Sequence, residues 1–186
     1  MKPHFLIALS LLTSVSIAFP AEALDVTREM VPGIANLSRL GTVVSCSGAI
    51  QVAAVPEIKK MGYLSIINLR EANEPGANIE EQESAAKTSG LRYFHIPFNA
   101  ASPDPAAVDR FIEVITRQGI EPAFIHCFRG GRAATMWFIK RLVVDHWDED
   151  RAEKEAAALG MNNPALREFA VTYARTHKRE NVSAAH

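Results

Sequence analysis

Apolar positions along the chain fall into short β-branched runs separated by longer segments with helical spacing. The runs bounded by turn residues predict four strands: "GTVVSCSG" (41–48), "YLSIINLR" (63–70), "LRYFHIPF" (91–98) and "PAFIHCF" (122–128). Between them, "VAAVPEIKKMG" (52–62) predicts a helix with Pro56 near its start and Gly62 at its end. "NIEEQESAAKTSG" (78–90) carries acids first, Lys87 late and Gly90 as its stop, the charge order that suits a helix dipole. "DPAAVDRFIEVITRQG" (104–119) predicts a helix capped by Asp104, with Pro105 at its first position. Its Val108, Phe111, Ile112 and Ile115 share one face.

Further along, Ala133 to Val144 is apolar on nearly every face, so it predicts a centrally buried helix with Trp137 and Phe138 in the core. Lys140 and Arg141 read as an exposed break in it. Trp147 is expected to pack on the next helix, "DEDRAEKEAAALG" (148–160), which Asp148 caps. "NPALREFAVTYARTHKR" (163–179) predicts the last helix, and 179–186 a disordered tail. Strand–helix alternation implies an α/β fold, a central and mostly parallel sheet of about four to five strands flanked by helices, followed by a helical C-terminal section. No repeat or linker divides 24–178, which reads as one domain.

The first residues change where this domain is expected to work. Lys2 precedes the apolar run Phe5 to Phe19, 15 residues long, and small residues follow at Ala21 and Ala23. That pattern predicts a secretory signal peptide over 1–23, since the run is short of the roughly 20 residues that span a bilayer. The expected location is periplasmic or secreted. Formal net charge is −1, so no basic excess points to nucleic acid, and no later segment is apolar enough to form a stable membrane span. The chain has two cysteines, Cys46 and Cys127, which in an oxidising compartment suggest a disulfide unless one is kept for chemistry. No C-x-x-C or H-E-x-x-H spacing suggests a metal site, and nothing calls for a cofactor.

The chemistry concentrates in "HCFRGGR", His126 to Arg132. If Ala123–His126 is a strand and a helix begins near Ala133, residues Phe128 to Arg132 must turn sharply between them. Gly130 and Gly131 permit positive φ and leave their amides unobstructed. Successive amides opening a helix form a concave nest for an anion. That nest, with Arg132 and Arg129, would favour the thiolate of Cys127. Arg132 can grip two oxygens of a tetrahedral oxyanion. A nucleophile at the base of an anion cradle suits covalent catalysis on a phosphate ester, through a thiophosphoryl-cysteine intermediate. The plainer alternative is an ordinary strand–turn–helix with an inert core cysteine.

"HCFRGGR" resembles the phosphate-binding loop of the cysteine-based protein tyrosine and dual-specificity phosphatase superfamily. Four residues separate Cys127 from Arg132, a spacing similar to that of the bacterial beta-lactamase-hydrolase-like phosphatase branch. "SGAIQVAAVPEIKKMGYLSIINLREANEPG", "LRYFHIPF", "GIEPAFIHC" and the stretch from "MWFIKRLVVDHW" to "ALGMNNPALREFA" also resemble that branch, over roughly Leu37 to Tyr173. The resemblance implies a phosphotyrosine phosphatase-like fold, Cys127 as nucleophile and Arg132 as phosphate clamp. The substrate would be held by His126, Phe128, Arg129, Gly130, Gly131 and Arg132. In that picture His126 orients the loop and favours the thiolate; otherwise it is a core histidine.

Two departures stand out. The family's leaving-group Asp is expected in "IPFNAASPDP", where Asn99 or Ala100 stands instead. The nearest carboxylate, Asp104, is then either the catalytic acid or only a helix cap. Ala133 follows Arg132 where many members carry Ser or Thr, and Thr135 lies further on. Arg70 and Glu71 read as a solvated ion pair, or Arg70 as part of the substrate rim. Cys46 could pair with Cys127. The expected partner is a phosphorylated substrate: a small molecule, a lipid headgroup or a protein. A rhodanese-like sulfurtransferase is a second reading, weakened by Asn68 in place of an Asp. A catalytically weak phosphate-binding domain is a third.

Overall fold

Six strands, β1 (Val26–Val31), β2 (Ile34–Leu40), β3 (Val44–Ser47), β4 (Ser65–Asn68), β5 (Arg92–His95) and β6 (Ala123–His126), lie side by side in the order β1-β2-β3-β6-β4-β5. The computed structural model describes residues 25–183, with side chains through His177. The predicted signal segment 1–23 and residues 184–186 lie outside the described residues. Strands β3, β6, β4 and β5 run parallel. They are the four runs predicted from the sequence. β1 and β2 add an antiparallel hairpin ahead of them, which extends the expected four to five strands to six. Gly33 turns this hairpin at φ +79, and no residue of β1 is fully buried, with Thr27, Arg28 and Glu29 polar in its middle, so it lacks an apolar signature.

Among the described residues six helices cover both faces: α1 (Val55–Lys60), α2 (Ile79–Thr88), α3 (Pro105–Ile115), α4 (Gly131–Val143), α5 (Glu149–Leu159) and α6 (Pro164–Ser183). α1 and α2 bury Ile58 and Ala86 against one face of the sheet, where Ile66 and Phe124 point. α3, α4, α5 and α6 build the larger core on the other, around Ile67, Ile125 and Cys127. This parity is the period of 2 that a strand imposes. Caps set three of the helix starts: Asp104 accepts the Ala106 amide at 2.9 Å, Asp148 that of Arg151 at 2.8 Å, and Asn163 that of Ala165 at 3.0 Å. α6 stays helical to Ser183, inside the stretch expected to be tail, because no Gly or Pro interrupts its backbone ladder.

α4 is the central helix. Ala133 through Ile139 are fully buried, and Trp137 and Phe138 are core residues as expected. Truncating either to alanine would cost about 3–5 kcal/mol. Lys140 and Arg141 correct the sequence reading: they are not an exposed break. Lys140 is buried beside Asp145 (3.0 Å), and Arg141 is clamped by Glu155 (2.6 Å) and Asp145 (2.8 Å). Arg141 also lies between the rings of Trp137 and Trp147. Asp145, just past α4, and Glu155 of α5 supply the countercharge, so the pair can stay ionised away from water.

Candidate active site

Parallel strands β4, β5 and β6 end together, and the chemistry-bearing residues collect at that carboxyl edge, where α/β sheets bind ligands. The Cys127 amide continues the ladder by donating to Ser47 O at 3.1 Å, so β3 fixes the nucleophile's backbone. The chain then turns through 128–130 into α4. Gly130 sits at φ +103, which a side chain would strain, and its amide donates to Cys127 Sγ at 3.1 Å. This peptide N–H is aimed at the sulfur from the loop itself, the direction from which a bound anion would also be met.

The loop is braced from outside. Ala49 donates to Phe128 O at 3.1 Å, and Asn36 Nδ2 donates to Arg129 O at 3.2 Å. Gly48 makes this approach possible, since a Cβ there would stand 3.1 Å from Phe128 O and from Ala35. The "SG" pair that ends β3 is thus part of the loop's mould.

Arg132 lies beside Cys127, its guanidinium fixed on one side only. Nη1 meets Phe98 O at 2.9 Å, Leu69 O at 3.2 Å and Glu74 Oε1 at 2.7 Å, while Nη2 donates to Glu74 Oε2 at 2.9 Å. This leaves Nε–H and the second Nη2–H, the side edge that fits two phosphate oxygens. Burial opposes the charge, but hydrogen bonding to Glu74 and the Cys127 charge hold Arg132 above its ordinary pKa. Glu74 also accepts from Arg70 Nε at 3.2 Å and from the Glu71 amide at 2.9 Å. Burial raises its pKa, yet the hydrogen bonds from Arg132, the Glu71 backbone and Arg70 bring it down to about 2.

Cys127, Phe128, Arg129, Gly131 and Arg132 line one cleft of about 580 Å³, which Asn99 and Ala100 also reach. Phe128 is 44% exposed and stands at the mouth between the guanidiniums of Arg70 and Arg129. The Arg70 reading needs correcting, and the two readings left open for Asp104 and for His126 resolve to the cap and to the buried core histidine. Arg70 is not a solvated partner of Glu71: it is fully buried, bonded to Glu74 and donating to the Pro75 and Gly76 carbonyls at 2.6 Å. Asp104 is the α3 cap and is not among the residues lining the cleft. His126 is fully buried under the loop, and neither ring nitrogen has a hydrogen-bond partner among the described residues. Burial, then Arg70 and Arg132, lower its pKa to about 3, so the ring is neutral and brings no positive charge to the thiolate.

Cys46 and Cys127 are both free thiols, buried on the same face of the sheet. Burial, followed by the nearby Cys127 charge, pushes the Cys46 thiol well above its ordinary pKa, which keeps it neutral. Thr135 does not stand in for the Ser or Thr missing at 133; its hydroxyl donates to Gly131 O at 2.9 Å. The sequence reading assigned no role to Glu74. An acid four residues after Arg70, just past a strand's carboxyl end, was the available signal.

Fold and site together define a phosphatase-like domain, with a cysteine and an arginine closing one loop at the carboxyl edge of a mostly parallel sheet. Residues 36–143, more than half of the chain, match the phosphatase-like domain of beta-lactamase hydrolase-like proteins, and the chain belongs to that family. Among solved structures it is similar to P. aeruginosa TpbA, with 19% identity over 89% of this chain and 99% of that one, at a TM-score of 0.61. It is also similar to PTPMT1, with 15% identity over 79% and 99% and a TM-score of 0.63. The core catalytic domain of the S. cerevisiae PP-IP phosphatase SIW14 matches at 15% identity over 78% and 92%, with a TM-score of 0.59. No curated protein sequence matched the chain.

Proposed function

We propose that the protein hydrolyses phosphomonoesters by covalent catalysis, with Cys127 attacking phosphorus and Arg132 holding the phosphoryl oxygens. The contact that carries this reading is the Gly130 amide on Cys127 Sγ at 3.1 Å, beside a guanidinium whose free edge is left for an anion. The S–P bond forms as the ester P–O bond breaks, and water then releases phosphate and returns the thiolate. The amides of 128–132 and Arg132 meet the charge that develops on the equatorial oxygens. Phe128, Pro75, Ala101 and Leu166 give the cleft apolar walls, which favour an ester bearing a flat or apolar group. A Cys→Ser variant of TpbA has been crystallised with pTyr, a ligand of that kind.

Export follows from the N-terminal pattern of a basic residue, an apolar run and the small residues Ala21 and Ala23. Among the described residues no helix is long and apolar enough to cross a membrane. The test is turnover of p-nitrophenyl phosphate by the purified protein, with Cys127→Ser abolishing it. Vanadate binding without turnover would instead make this a phosphate-binding domain, and sulfur transfer from thiosulfate to cyanide would make it a sulfurtransferase. N-terminal sequencing of the mature protein from a periplasmic fraction should begin at Leu24.

A further inference from the structure

If the protein is a phosphomonoesterase, as proposed, an alkoxide or phenoxide must be protonated as it departs. The loop residues where the family resemblance places an Asp are Asn99 and Ala100, which cannot supply that proton. We propose that Glu71 is the leaving-group acid of this site and that Asn99 positions it.

Two carboxylates line the cleft with Cys127 and Arg132, namely Glu71 and Glu74. Glu74 cannot donate, because both its oxygens are taken by Arg132, Arg70 and the Glu71 amide. Glu71 is different. It sits just beyond the carboxyl end of β4, half-buried, and forms no ion pair among the described residues. Its Oε1 accepts from Asn99 Nδ2 at 3.2 Å, while Oε2 has no hydrogen-bond partner there and can carry the proton.

Asn99 is oriented in turn. Its Oδ1 accepts from the amides of Ala101 at 2.8 Å and Ser102 at 3.3 Å, so Nδ2 must be the atom that faces Glu71. The carboxyl missing from the loop is therefore brought to it from the neighbouring strand end.

The steps balance. Cys127 Sγ attacks phosphorus, the S–P bond forms, and the P–O bond breaks with its electron pair leaving on the ester oxygen. That oxygen takes the proton from Glu71. The Glu71 carboxylate then accepts a proton from the water that attacks phosphorus, and the P–S pair returns to sulfur.

The experiment compares kcat/KM for the native protein, Glu71→Gln and Asn99→Ala on p-nitrophenyl and phenyl phosphate, across pH. Glu71→Gln should lose about 10-fold on the nitrophenyl ester and about 10³-fold on the phenyl ester, because only the poorer leaving group depends on the acid. The alkaline limb of its pH profile should vanish, and vanadate should bind no more weakly. Asn99→Ala should steepen the leaving-group dependence in the same direction, by a smaller factor. Equal losses on the two esters, or an alkaline limb that survives Glu71→Gln, would overturn the assignment while Cys127-dependent hydrolysis still stood. Hydrolysis that survives Cys127→Ser would remove the phosphatase reading and this one with it.

Discussion

The Glu74 carboxylate grips Arg132 across the end of its guanidinium, Oε1 to Nη1 at 2.7 Å and Oε2 to Nη2 at 2.9 Å. The edge facing Cys127 is thereby left open and cannot rotate away. Glu74→Gln keeps the shape but removes the charge from these bonds, so vanadate affinity should fall about 10- to 100-fold. Arg132→Lys should fall at least as far, since an ammonium cannot present two fixed donors. Vanadate inhibition of p-nitrophenyl phosphate turnover measures both.

Asp104 separates a structural carboxylate from a catalytic one. Its side chain accepts the Ala106 amide at the start of α3. Asp104→Ala should cost about 1 kcal/mol of stability, seen as a drop of a few degrees in Tm. Its kcat/KM on phenyl phosphate should stay within about twofold of the native protein, whereas loss of a general acid removes about 10²-fold or more.

His126 sets a pH signature on stability. Its folded pKa is lowered to about 3, below the ordinary value of 6.5, so the unfolded chain binds this proton first. Stability from this group is therefore complete above pH 6.5 and declines as pH falls toward 3, by about 1.4 kcal/mol per unit. Glu74, lowered from 4.5 to about 2, acts in the same direction: its contribution is present above 4.5 and is lost as pH falls toward 2. Urea denaturation between pH 6.5 and 4.5 isolates the histidine. Replacing His126 with Gln should flatten the slope in that window, whatever it does to absolute stability.

The parallel strands were legible as short apolar runs bounded by turn residues, and α4 as a longer run that is apolar on nearly every face, both local signals. The Cys127–Arg132 loop was legible for the same reason, its nucleophile, glycines and arginine being contiguous in sequence. The β1–β2 hairpin was not, because β1 is an edge strand whose partly exposed residues carry no alternation. Nor were the partners of Arg141: Glu155 reaches it from the next helix, and two indole rings cover its charge. Glu74 and Glu71 were hidden for a related reason. Their roles depend on Arg132 and Asn99, which lie 58 and 28 residues further along the chain. His126 stayed open between two readings because its sequence position, next to the nucleophile, says nothing about which sheet face its ring enters.

Covalent phosphoryl transfer to sulfur is tested most directly by acid-quenching the protein during turnover of p-nitrophenyl phosphate and mapping the modified peptide by mass spectrometry. A single phosphoryl group should appear on Cys127 and disappear, together with nitrophenolate release, in Cys127→Ser. Steady turnover with no label on Cys127, or with the label on another residue, would contradict it.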